Sequence, residues 1–199
     1  YSQATNLFQT PEEWYKAQTS IEQAKQILPE SSWARKITGI RNTASSEVFH
    51  PDGKSFLVLQ YKSMDLYDTA SFSVIRTFEG HTDEIHSIAF SPDGHYALSS
   101  SADQTIRLWE VSSGKCPRVF VGHQDGVTCA KFSPDGGYVL SGSKDQTLRL
   151  WEVKTGLCLQ VFEGHEYAVL SVSFSPDGRL ALSASDYDYR LWEIETGSC

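Results

Sequence analysis

The chain has 199 residues, 40% of them apolar, 21% charged and 12% aromatic, the composition of an ordinary globular domain with room for an appendage. A formal net charge of -8, with no Lys/Arg run longer than Arg35-Lys36, leaves no electrostatic footprint for nucleic acid or for an anionic membrane surface. No stretch approaches the ~20 apolar residues of a membrane span, the start is polar rather than signal-like, and the four cysteines form no Cys-x-x-Cys pair for zinc or dithiol chemistry.

In chain order, the first predicted element is a helix over residues 10–28. Thr10 supplies an N-cap, Pro11 the first helical position and Glu13 a capping-box acid. Trp14, Ala17, Ile21, Ala24 and Leu28 follow on one face, and Pro29 ends the element. Residues 29–33 form a connector, so 1–33 reads as an N-terminal helical segment. Its apolar stripe is expected to pack on the following domain or on a preceding helical one; a dimerising coiled coil of two heptads is the alternative. Ser32 to Thr38 is a candidate outer strand.

From there the chain repeats. Gly-His recurs at 80–81, 122–123 and 164–165, and Ser-Pro-Asp-Gly at 91–94, 133–136 and 175–178, both in steps of 42. Leu-Trp-Glu recurs at 108–110, 150–152 and 191–193, so the last unit is one residue short. A degraded copy comes first, with Phe49-His50-Pro51-Asp52-Gly53 and Leu66-Tyr67-Asp68. Residues 34–199 therefore hold four units, over about 37–77, 78–119, 120–161 and 162–199.

Each unit reads as four short strands. In the second unit Ile85 to Phe90 alternates roughly as a half-buried strand, and Ser91-Pro92-Asp93-Gly94 makes a tight turn. Tyr96 to Ser100 follows, then a turn at Asp103-Gln104-Thr105 into Ile106 to Glu110, then one at Ser112-Ser113-Gly114 into Cys116 to Phe120. Pro117 cannot donate to a ladder, which puts that last strand at the outer edge. The fold class is all-β: four-stranded antiparallel blades of a propeller, preceded by one α-helix.

Phe-x-Gly-His, Phe-Ser-Pro-Asp-Gly and Arg-Leu-Trp-Glu at this spacing resemble the WD40-repeat β-propeller family, over residues 37–199. In that family a hydrogen-bonded tetrad locks each blade. The resemblance assigns one tetrad to His81, Ser101, Asp103 and Trp109, and a second to His123, Ser143, Asp145 and Trp151. A third falls on His165, Ser185, Asp186 and Trp192, where the missing residue disturbs the spacing. The first unit has Ile40, Gln60, Tyr61 and Tyr67 at the matching places and should lack the tetrad. Ser, His and Asp together are also the inventory of a hydrolase triad. Recurrence in every near-consensus unit, without a Gly-x-Ser-x-Gly elbow, points instead to mutual satisfaction of buried polar groups, so no catalytic residue is expected. Arg107, Arg149 and Arg190 read as stacking residues, and the scattered cysteines as small strand residues without a metal role.

The resemblance further implies a non-catalytic protein-interaction scaffold, with partner-facing residues on one rim. By position these are Ser45, His86, Thr128 and Leu170, with Glu84 two places before His86, and Ala102 and Lys144 just ahead of the turn aspartates. Near-identical repeats of this kind resemble the propellers of large bacterial multidomain proteins, where such a module senses or docks. A purely structural or oligomerisation module is one alternative and an enzyme at the channel mouth another. The expected partner is a protein, without nucleic acid, membrane or cofactor, in a reducing, cytoplasmic setting. The family usually has more than four blades, so further repeats in the same chain, a four-bladed ring or pairing of two chains are all open.

Overall fold

The computed structural model describes residues 47–199, which carry fifteen strands and, among the described residues, no helix. The helix expected over 10–28, the connector, the candidate strand at Ser32 to Thr38, and Ile40 and Ser45 lie outside the described residues.

The first sheet runs β1 (Glu47–Phe49), β2 (Ser55–Leu59), β3 (Ser63–Asp68), β4 (Val74–Glu79), each strand paired antiparallel with the next. The second is β5 (Ile85–Phe90), β6 (Tyr96–Ser101), β7 (Thr105–Glu110), β8 (Arg118–Val121). The third is β9 (Val127–Phe132), β10 (Tyr138–Ser143), β11 (Leu148–Glu152), β12 (Cys158–Phe162), and the fourth has three strands, β13 (Val169–Phe174), β14 (Leu180–Ser185), β15 (Tyr189–Glu193). The outer strand of the second blade starts after Pro117, as a residue without an N–H requires. The inner strands β1, β5, β9 and β13 lie next to one another, so the blades are stacked face to face.

The core sits between blades and repeats with them. Leu57, Met64, Leu66 and Phe78 of the first blade meet Ile85, Ile88, Ala97 and Trp109 of the second. The second junction sets Leu98, Ile106, Leu108 and Phe120 against Val127, Ala130, Val139 and Trp151. At the third, Leu140, Leu148, Leu150 and Phe162 meet Val169, Val172, Ala181 and Trp192. Across each junction a face of aliphatic side chains and one phenylalanine thus meets the tryptophan face of the next blade, and each large side chain so buried is worth about 1.5–3 kcal/mol relative to exposure. Polar staples cross the same junctions: the Arg76 guanidinium donates to Ser112 O and Ser113 O at 2.9 and 3.0 Å, and that of Arg118 to Lys154 O at 2.9 Å.

Turn chemistry holds the hairpins in register. In Ser91-Pro92-Asp93-Gly94 the Ser91 hydroxyl donates to Asp93 at 2.5 Å, the same carboxylate oxygen takes the His95 N–H at 3.0 Å, and Gly94 adopts φ of +74°. The Gly of Gly-His has a different reason: a Cβ on Gly80, at φ +155°, would lie 2.8 Å from Arg107 Nη1 and 3.2 Å from the Trp109 ring. The glycine lets the arginine and indole close over the backbone.

Candidate functional site

Because the strands alternate in direction, the Ser-Pro-Asp-Gly turns and the β3–β4-type turns lie at one end of each blade. The β2–β3-type turns and the connections from one blade to the next lie at the other. This second end carries His81, His123 and His165, the aspartates Asp103, Asp145 and Asp188, and every described residue of the expected rim, so it is the candidate site.

Beneath the rim each of the last three blades holds one buried polar chain. In the second blade Trp109 Nε1 donates to Ser99 Oγ at 2.8 Å, and that hydroxyl bonds His81 Nε2 at 2.7 Å. His81 Nδ1 lies 2.7 Å from Asp103 Oδ2, and Thr105 donates to Asp103 Oδ1 at 2.6 Å. The third blade repeats this with Trp151, Ser141, His123, Asp145 and Thr147. Donors and acceptors fit one polarity: with the carboxylate charged, the imidazole donates from Nδ1, accepts the serine proton at Nε2 and stays neutral. Burial pushes the His81 and His123 pKa values below the usual 6.5 despite their aspartate partners. Burial would raise Asp145, but bonds from Gln124 N, Thr147 and His123 outweigh it and hold that carboxyl at about 2.

Two of the sequence assignments are corrected here. The serine that joins indole and imidazole is Ser99, Ser141 or Ser183, not Ser101, Ser143 or Ser185. Register explains it. Trp109 stands opposite Ala97, so Ser99 is two residues along the strand and Ser101 four, about 13 Å at strand rise and beyond an indole. Ser101 instead donates to Asp83 O at 3.1 Å and takes the Asp103 N–H at 3.1 Å, pinning the turn; Ser143 does the same with Asp125 O and Asp145 N. The second correction is in the fourth blade, where His165 Nδ1 meets Asp188 at 2.6 Å rather than Asp186. Shortening the turn by one residue carries Asp188 into the place that Thr105 and Thr147 occupy. From there it bonds His165, the Ser185 hydroxyl and, at 2.8 Å, Arg190 Nε, contacts that hold it at about 2, with Ser185 and Arg190 contributing most. Asp186 is exposed.

In the first blade Val58, fully buried, occupies the place of Ser99, and Tyr67 that of Trp109, stacked on Phe56 at 5.4 Å. Arg107 lies with its guanidinium 5.9 Å from the Trp109 ring centroid. Among the described residues, no group of three or more His, Cys, Asp or Glu side chains gathers as a metal site, and the four cysteines are free.

On the rim, a bulge recurs at the start of the inner strands β5, β9 and β13. Ile85 pairs with Ser101 and Ser87 with Ser100, which leaves His86 as the extra residue; Thr128 and Leu170 fall in the same gap. A bulge re-aims its extra side chain, so these positions are set apart from the sheet face. Their uses differ. His86 Nδ1 reaches Val127 O at 3.0 Å and Thr128 Oγ1 donates to Val169 O, so both half-buried side chains bridge to the next blade. Leu170 is 48% exposed. Glu84 and Lys144 are exposed and Ala102 is half-buried. Positional reading missed three exposed tyrosines at this end: Tyr61, Tyr167 and Tyr187, the last two with ring centroids 4.6 Å apart. The signal was available, since each is a residue by which its unit departs from the others.

The family model for the WD domain, G-beta repeat matches residues 72–110, 114–152 and 156–193, more than half of the chain. Among curated proteins the chain is 40% identical over 74 residues to the human (Homo sapiens) apoptotic protease-activating factor 1, covering 37% of this chain and 6% of that protein. It is 40% identical over 70 residues to the serine-threonine kinase receptor-associated protein of Rattus norvegicus, covering 34% and 20%. To pre-mRNA-processing factor 19 of Caenorhabditis elegans it is 37% identical over 75 residues, covering 36% and 15%. The match thus spans a fifth or less of each relative's length. Blades, repeated Trp-Ser-His-Asp chains and family model agree: the chain belongs to the WD domain, G-beta repeat (WD40) family.

Proposed function

We propose that this chain is a non-catalytic docking module that binds a protein partner on the rim carrying Glu84, Lys144, Leu170 and Tyr187, as the sensing or docking part of a larger intracellular protein. WD40 repeats generally act as protein-interaction scaffolds. The observation that carries the reading is the contrast between scaffold and rim. Trp, Ser, His and Asp recur in one arrangement in the last three blades, while the rim positions differ from blade to blade: Glu84, Gly126 and Ala168 at one place, Ala102 and Lys144 at another. Varied side chains on a rigid repeated frame are what selective recognition needs. In this reading residues 34–199 are the repeat module and 1–33 an attached helical segment. The free thiols fit a reducing, cytoplasmic setting.

An enzymatic reading finds little to work with. Ser99, Ser141 and Ser183 are buried, and each hydroxyl is already taken by an indole and an imidazole.

The test is affinity capture with the full chain as bait. Glu84→Lys, Lys144→Glu and Leu170→Asp on the rim are compared with His95→Ala and Arg179→Glu on the opposite face. We expect bound proteins to be lost from the rim variants alone, with melting temperatures near the parent's. Equal capture by both sets would overturn the rim assignment.

A further inference from the structure

Resting on the rim reading, we propose that Tyr167 and Tyr187 receive a lysine or arginine side chain from a basic segment of the protein partner. The two rings meet at 4.6 Å with their planes 56° apart, and Tyr167 and Tyr187 remain 46% and 78% exposed. Two mutually inclined rings are therefore open to solvent at the rim, and a cation is attracted to the negative face of such a ring. Neither position is aromatic in the second and third blades, where Asp83 and Asp125 stand in place of Tyr167.

The local charge has the matching sign. Glu166 precedes Tyr167 and Asp186 precedes Tyr187; both acids are exposed, and neither has an ion-pair partner among the described residues. Arg190, on the same hairpin, is held by Asp188 through its Nε at 2.8 Å.

The molecule contains its own precedent at the equivalent turn of the first blade. There Lys62 Nζ lies 5.6 Å from the centroid of the Tyr61 ring and donates to Thr82 O at 2.6 Å, while the Tyr61 hydroxyl reaches Asp83 at 3.5 Å. Ring and ammonium come together there, with a carboxylate at the ring's hydroxyl, and the cation is simply the next residue in the chain. By register Tyr187 of the fourth blade stands at the place of Lys62, one residue on from that of Tyr61, and its neighbours Asp186 and Asp188 supply carboxylates but no cation. A basic side chain from outside completes the same set.

The probe is a fluorescein-labelled peptide, Gly-Ser-Lys-Gly-Arg-Ser-Gly, titrated with the full chain by fluorescence anisotropy. Companion peptides replace Lys and Arg by norleucine and citrulline, or both by glutamate. We expect binding of the basic peptide alone, weakened by salt. Tyr167→Leu with Tyr187→Leu should weaken it at least about fivefold, and Glu166→Gln with Asp186→Asn about threefold, given the strength of exposed cation–π contacts and ion pairs. Melting temperatures should match the parent's, which keeps loss of fold apart from loss of site. Equal binding of basic and neutral peptides, with loss on tyrosine replacement, overturns the cation proposal and leaves the rim reading standing. Binding indifferent to the tyrosines but abolished by Arg179→Glu on the opposite face sinks both. No binding of any peptide up to millimolar chain overturns the cation proposal.

Discussion

The first and third blades bury the same strand position with opposite chemistry. Val58 is an aliphatic side chain with no exposure, whereas Ser141 lies between an indole N–H and an imidazole, and neither is accessible. Both make a four-stranded sheet with the same strand order. The polar chain is therefore not what makes a blade. Where complete, it satisfies every member; the first blade keeps the strand order with Val58 and Tyr67 at two of the places. An intermediate, with one member missing, strands buried donors and acceptors at a cost that a blade of either kind avoids.

That contrast can be broken by substitution. The largest effect is expected for Trp151→Ala, about 3–5 kcal/mol of stability in chemical denaturation, through a large cavity and an orphaned Ser141–His123 pair. A variant that unfolds like the parent would mean that the indole is not what the third blade is built around. Next, Ser141→Ala and Val58→Ser should each cost about 1–3 kcal/mol, the first by orphaning two partners and the second by placing a hydroxyl where none waits. If Val58→Ser were neutral, the first blade would be wetter than its packing indicates.

Acidification should act on the polar blades through their histidines. The folded pKa values of His81 and His123 are lowered by burial, so the unfolded chain takes up protons first. Stability should be at its plateau above about 6.5 and fall as pH drops through that value towards the lowered folded pKa. The aspartates add a further loss below the usual 3.8, in the case of Asp145 down to about 2. Melting temperatures across pH 4–8 check this, and a flat profile through pH 6 would show that the imidazoles are less enclosed than described. The smallest effect separates the two aspartates of the fourth blade. Asp188→Asn should lower the melting point visibly, while Asp186→Asn should stay within about ±0.5 kcal/mol.

The repeat itself was legible from spacing alone, because each blade needs the same turns and the same large side chains at the same step. Where the sequence misled, it offered two candidates of one type. Leu-Ser-x-Ser puts Ser99 and Ser101 on the same strand face, and alternation cannot choose between residues two apart; only register with β7 does. Asp186-Tyr187-Asp188 poses the same ambiguity around a missing residue, and turn length decides it. The bonds of the rim residues His86 and Thr128 are not legible in the sequence, because their partners, Val127 O and Val169 O, belong to the next unit and leave no mark in their own. The tyrosine pair escaped because positions carried from unit to unit describe what the units share, and the pair is what one of them does not share.

Each sheet is ordered as the chain runs, with every described strand paired to the one before or after it. The consequence is kinetic. Loop closure within a blade spans only a few residues at a time, so hairpins can form early and the long-range entropy cost is confined to laying one finished blade against the next. Docking energy is then delivered in near-neighbour instalments, as in a one-dimensional stack. Backbone amides of β6 and β10, each inside a blade that is flanked on both faces among the described residues, should accordingly be slow to exchange with deuterium.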